Sequence, residues 1–134
     1  MAELTDDALV AQAWAAREGA LCEYSHFAVG AAFEDAEGRV WTGANVENAS
    51  YNLGLCAERV ALYFALTHGA RGFRRVAVVT DARAPTPPCG ACRQALFEFA
   101  GDARVILENR TGERQGHGVR ELLPLAFESR YLAR

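Results

Sequence analysis

RVAVVTDARAPTPPCGACRQALFEFAGDARVILE, residues 75–108, decides the fold class of this chain. Its first block, Arg75 to Thr80, carries the apolar run Val76-Ala77-Val78-Val79 and reads as a buried strand. Pro85, Pro87 and Pro88 break the chain. A helix then runs from about Cys89 to Ala100 and stops at Gly101. Arg104 to Glu108 is a second strand. Alternation of strand and helix predicts an α/β domain with helices covering a sheet.

The same segment holds two cysteines three apart, Cys89 and Cys92, at the helix start. Residues i and i+3 share one side of a helix, so both sulfurs reach one ion. Upstream lies Cys56-Ala57-Glu58-Arg59, at the start of a helix that ends before Gly69. Cys56 and Glu58 are separated by about 200° on an ideal helix, so they approach one ion only if Cys56 lies at the helix mouth. The spacing therefore predicts two helix N-termini aimed at one metal, each favouring thiolate over thiol. Three thiols leave the fourth position of a zinc ion open, which separates a catalytic zinc from a structural one. Glu58 is placed to handle protons at that opening. Arg59 is read either as a cation offsetting the thiolate charge or as a solvated surface residue.

The remaining elements are simpler. Thr5 caps a first helix with Asp6 and Asp7 in its opening turn, running through Trp14 to Glu18 or Gly19. His26–Phe33 and Arg39–Val46 read as a hairpin around Asp35-Ala36-Glu37-Gly38. Asn48 to Leu55 is polar and turn-rich; Asn109 to Gly112 is a turn and Val119 to Leu123 a short helix. The stretch Val60 to Leu66 is apolar nearly all round, which predicts burial on several sides and a subunit contact.

Composition narrows the chemistry. A length of 134 residues predicts one catalytic domain over 1–134. All 14 basic residues are Arg, so a Schiff-base lysine and a Walker-type P-loop are both excluded. Met1 to Ala20 lacks a basic start followed by an apolar stretch, and no apolar run is long enough to span a bilayer. The expectation is a cytoplasmic protein with reduced thiols and no membrane partner. A net charge of −3 with no run of like charge argues against a nucleic-acid polymer as substrate. Three alternatives use the same cysteines: two disulfides, a thioredoxin-like redox pair at Cys89 and Cys92, or a structural zinc that recruits His26, His68 or His117. The pairing of a third cysteine with Glu58 favours the catalytic zinc. Cys22 reads as an ordinary small apolar residue.

Cys56-Ala57-Glu58 followed by Pro88-Cys89-Gly90-Ala91-Cys92 is the three-cysteine form of the zinc deaminase pattern. Tyr24 to Ala32 (YSHFAVGAA), Asn45 to Tyr51 (NVENASY), Pro88 to Gln94 (PCGACRQ) and Glu121 to Phe127 (ELLPLAF) each resemble segments of the small, homotetrameric cytidine deaminases. Asn52 departs from the family pattern and leaves the chemistry intact. The resemblance implies a three-layer α-β-α sandwich with a mixed five-stranded sheet, and a homotetramer whose active sites share residues between subunits. It implies hydrolytic deamination of cytidine and 2′-deoxycytidine in pyrimidine salvage, with one zinc per chain on Cys56, Cys89 and Cys92. Glu58 is then the proton shuttle and Arg59 the charge-offsetting cation. Phe27 stacks on the pyrimidine, and Asn45 and Glu47 hold the ribose. Ala49, Tyr51 and Phe127 approach the substrate from a neighbouring subunit. Rival readings are a deaminase of another free heterocycle such as blasticidin S, a zinc-stabilised binding module without activity, and the thiol-disulfide oxidoreductase.

Overall fold

Val76 to Val79 lies at the centre of the sheet in the computed structural model, which describes residues 3–132. Met1, Ala2, Ala133 and Arg134, the ends of the 1–134 span, lie outside the described residues. Strand β3 (Arg75–Thr80) has neighbours on both sides, in the order β2-β1-β3-β4-β5. β1 is Val29–Glu34, β2 Val40–Ala44, β4 Arg104–Glu108 and β5 Arg114–Gly118. β3 and β4 run parallel, and the other three pairings are antiparallel, so the sheet is mixed.

The side chains of β3 alternate between two cores. Val76 and Val78 face α2 (Ala57–Thr67) and α3 (Gly90–Ala100), packing with Leu62, Leu96 and Phe33. Ala77 and Val79 face α1 (Asp6–Arg17), packing with Leu9, Val10 and Ala13. Burial on both faces is why β3 reads as a continuous apolar run rather than an alternating one. The result is the expected α-β-α sandwich around a five-stranded sheet.

Local rules account for the joints. Thr5 caps α1, its Oγ1 accepting the Ala8 N–H at 3.0 Å. Asp35 Oδ1 accepts the N–H groups of Glu37 and Arg39, each at 2.9 Å, and closes the β1–β2 hairpin. Gly38 supplies the positive φ of 81° that this turn requires.

Two sequence expectations shift, and one strand has no counterpart in the sequence reading. The first strand begins at Val29, not His26, because residues 24–28 form a loop in which His26 takes a left-handed φ of 57°. The 119–123 helix is a single 3-10 turn, Arg120–Leu122. β5 has no local signal at all: Arg-Gln-Gly-His-Gly carries no alternation and two glycines. It is a strand because β4 offers an open edge, and it pairs from Arg104↔Gly118 to Glu108↔Arg114.

The helix that carries the site sits directly on the sheet backbone. A Cβ at Gly43 of β2 would lie 2.6 Å from the Ala61 nitrogen and 3.0 Å from the Ala57 carbonyl oxygen of α2. Ala57 and Ala61 are themselves fully buried. Gly43→Ala is therefore expected to destabilise the fold by about 1–3 kcal/mol, because backbone rather than a flexible side chain must move. A urea unfolding midpoint that is unchanged would show the contact to be slack.

Candidate metal centre and substrate cavity

Both site helices begin at a cysteine. Cys56 is the N-cap of α2 and Cys89 the N-cap of α3, each with extended backbone and no capping hydrogen bond from its side chain. Cys92 lies three residues into α3 and is fully buried. The three sulfurs lie within 4.8 Å of one another, and Cys56 Sγ is 3.7 Å from Cys89 Sγ. Tetrahedral zinc with Zn–S bonds of about 2.3 Å separates its sulfurs by about 3.8 Å, so the trio fits one such ion with its fourth position free. All four cysteines are free thiols. The partial positive ends of α2 and α3 both bear on this point, as the spacing predicts.

The electrostatics around the trio are unequal. Hydrogen bonding from Cys92 pulls the Cys56 thiol down to about 5 against its burial, with Arg59 and Cys89 adding to the effect. Cys92 moves the other way, raised by that same bond and by burial. Arg59 stands beside Cys56, with Nη2 at 3.7 Å from Cys56 Sγ. Burial works against the guanidinium charge, but bonds to Cys56 and Cys92 outweigh it and hold Arg59 above its ordinary range. The buried Nε of Arg59 has no hydrogen-bond partner among the described residues. Arg59 is half-buried, with its guanidinium turned toward the sulfurs.

Glu58 is the second residue of α2 and is 4% exposed. Burial pushes its carboxyl up to about 7, and the charge at Cys56 adds to the rise. A carboxyl poised near neutrality beside an open metal position can both accept and return a proton.

A cavity of about 460 Å³ opens over this centre. Cys56, Glu58, Arg59 and Cys89 form one end, and Phe27, Asn45, Glu47 and Tyr51 line the rest. An isolated bridge brings the two ends together: Val46 pairs with Leu55, exchanging hydrogen bonds of 3.0 and 2.9 Å. Asn45 and Glu47 thereby flank Val46, the residue bridged to Leu55 immediately before Cys56.

Asn45 is 8% exposed and holds the wall in place. Its Nδ2 donates to the Phe27 carbonyl at 2.8 Å, and its Oδ1 accepts the Val29 N–H at 2.9 Å. One amide hydrogen of Asn45 remains uncommitted by these bonds. Glu47 accepts the Tyr24 and Ser25 N–H groups at 3.0 Å each, and a bond from Ser25 Oγ. The Ser25 hydroxyl and N–H hold its carboxyl below the usual carboxylate range. Tyr51 stands edge-on to Tyr24 with ring centroids 5.9 Å apart.

Two expected residues lie away from this cavity. Ala49 is exposed in the loop before the 3-10 turn Tyr51–Leu53. Phe127 is 56% exposed and lines a separate cleft with Phe97 and Arg120. Conversely, Ser25, Thr80 and Thr86 line the cavity without having been singled out individually. Thr80 ends β3, and its Oγ1 is 3.0 Å from the Thr86 hydroxyl. A position at the carboxyl end of a central strand is the signal that points to it.

A family model described as the cytidine and deoxycytidylate deaminase zinc-binding region matches residues 4–109. The chain belongs to this family, a class of zinc-binding deaminases. Among curated relatives, the cytidine deaminase of Halalkalibacterium halodurans is 51% identical over 89% of this chain and 91% of its own length. That of Sporosarcina psychrophila is 43% identical over 93% of each. Among solved structures, the cytidine deaminase of Burkholderia pseudomallei superposes with a TM-score of 0.90 at 47% identity, covering 92% of this chain and 99% of that one. The Mycobacterium tuberculosis cytidine deaminase superposes at 0.79 and 37% identity, covering 92% and 98%. The cofactor of the site is zinc, for which Cys56, Cys89 and Cys92 form a suited donor set.

Proposed function

We propose that this protein is a cytidine deaminase, replacing the C4 amino group of cytidine and 2′-deoxycytidine by oxygen, with uridine or 2′-deoxyuridine and ammonia as products. The observation that carries the reading is the buried Glu58 carboxyl beside an open three-sulfur cradle at the end of a cavity. Zinc in that cradle, when bound, supplies Lewis acidity that lowers the pKa of water toward neutrality. Glu58 is placed to take a proton from the attacking water and hand it to N3 of the ring. Glu58 then takes the remaining proton from the oxygen added at C4 and delivers it to the departing amine, which leaves as ammonia. Its carboxyl, raised to about 7 by burial, suits both transfers near neutral pH. Arg59 offsets part of the charge that three thiolates place on the centre.

Phe27 stacks on the pyrimidine, a flat face that binds bases without loss of conformational freedom elsewhere. Asn45 and Glu47 hold the ribose 3′-hydroxyl, Asn45 by its remaining amide hydrogen and Glu47 by a carboxylate already fixed by Ser25. Ala49 and Phe127 serve a neighbouring subunit's cavity in a homotetramer, and Tyr51, which also lines its own chain's cavity, reaches toward the neighbour's. The exposed positions of Tyr51, at 79%, and Phe127 support that assignment, as do Tyr63 and Phe64 on the outer face of α2. The enzyme acts as one domain over 1–134 on free nucleosides, in cytoplasmic pyrimidine salvage. No helix among the described residues is long and apolar enough to cross a membrane.

The direct test is an ultraviolet assay on zinc-quantified protein with cytidine. Turnover at about one zinc per chain is expected, and zinc-loaded protein inert to cytidine but active on blasticidin S would overturn the substrate assignment. Asn45→Ala is expected to raise KM for cytidine by about tenfold with a smaller change in kcat, since it removes a ribose contact and unhooks Phe27. An unchanged KM would remove Asn45 from the ribose site.

A further inference from the structure

Arg93 and Gln94 close the Pro88–Gln94 block, yet neither lines the substrate cavity. Their side chains point along a different route. Arg93 Nε donates to the Pro88 carbonyl at 2.8 Å, immediately before Cys89, and its Nη1 donates to the Leu122 carbonyl at 2.9 Å. Gln94 Nε2 donates to the Phe127 carbonyl at 2.9 Å. The same turn of α3 that holds Cys92 thus grips the segment after β5 at two points.

The grip matters because little else holds that segment. Among the described residues, the Gln94 bond is the only hydrogen bond or ion pair joining residues 124–132 to the rest of the chain. Packing does not replace it. Leu125 is 99% exposed with a left-handed φ of 51°, and Phe127 is 56% exposed.

We propose that Gln94, braced by Arg93, is a positioning residue for Phe127. It fixes the backbone at Phe127 so that the ring is presented to the substrate cavity of a neighbouring subunit. The inference rests on the reading of Phe127 given under Proposed function. Its consequence is that the helix carrying two sulfurs of one subunit's metal centre also sets a wall of the next subunit's pocket.

The test is a double-mutant cycle on the zinc-loaded, assembled enzyme, with cytidine as substrate. Gln94→Ala and Phe127→Ala are each expected to raise KM by about tenfold, with kcat within about twofold and zinc content and melting temperature retained. The double variant is expected to be no worse than Phe127→Ala alone, because Gln94 acts only through that residue. Gln94→Glu, which keeps the shape but cannot donate to the carbonyl, is expected to match Gln94→Ala. Additive effects, a KM raised by about a hundredfold in the double variant, would overturn the proposal. So would zinc loss or a lowered melting temperature in both Gln94 variants, which would mark a structural role. A normal KM in the Gln94 variants beside a raised one in Phe127→Ala would overturn it while leaving the Phe127 assignment standing. A normal KM in Phe127→Ala would remove that assignment and the proposal with it.

Discussion

Glu58→Gln is expected to lower kcat for cytidine by about 10⁴-fold, the upper end for loss of a general acid–base, while zinc content stays at about one per chain. The amide has the shape of the carboxyl, so the 4% exposed site is neither emptied nor overfilled. What is lost is the ability to take up a proton and release it again. The carboxyl is held near 7 by burial first and by the charge at Cys56 second, so it exchanges protons at working pH. An amide does so at no accessible pH. Because Glu58 does not bind metal in this reading, zinc retention separates its role from that of the sulfurs. Glu58→Gln with near-normal turnover would sink the assignment, and Glu58→Gln without zinc would make Glu58 part of the metal shell.

Cys92→Ser is expected to abolish zinc binding, and with it both turnover and a large part of thermal stability. Cys92 is fully buried and stands three residues into α3. A serine hydroxyl there does not ionise near neutral pH and is a poor zinc ligand, so two sulfurs are left where three are needed. A ligand present at about 1,000 times its dissociation constant stabilises the folded state by about 4 kcal/mol, so losing it should lower the melting temperature by many degrees. The control is a chelator. Metal removal should lower the melting temperature of the unaltered protein and leave Cys92→Ser unchanged. A variant that keeps one zinc and an unaltered melting curve would show that Cys92 is not a ligand.

Much of this site is legible in the sequence because it is built at helix starts. Cys56 with Glu58, and Cys89 with Cys92, are local patterns whose geometry follows from the first turn of a helix. Arg59 was legible only as a choice between two roles, since adjacency does not say which way a long side chain turns. In the fold its Nη2 lies 3.7 Å from Cys56 Sγ, a contact that adjacency alone does not encode. Ser25 was visible as part of a segment, but its hold on Glu47 spans 22 residues and has no local trace.

Local patterns were enough for the α/β class, the helix that follows Pro88, the strand at Val76 to Val79 and the grouping of three sulfurs with a carboxylate. Each depends on periodicity, capping or spacing within a few residues, which local sterics and hydrogen bonding enforce. Tertiary structure decided the rest. β5 became a strand because the free edge of β4 satisfies its backbone, although Arg-Gln-Gly-His-Gly has no strand preference. The start of β1 moved to Val29 because Asn45 and Glu47 gather residues 24–29 around their side chains. Ala49 and Phe127 were turned away from their own chain's cavity by the loops that carry them. Such outcomes depend on which distant groups meet across the sheet, and no window of sequence contains both partners.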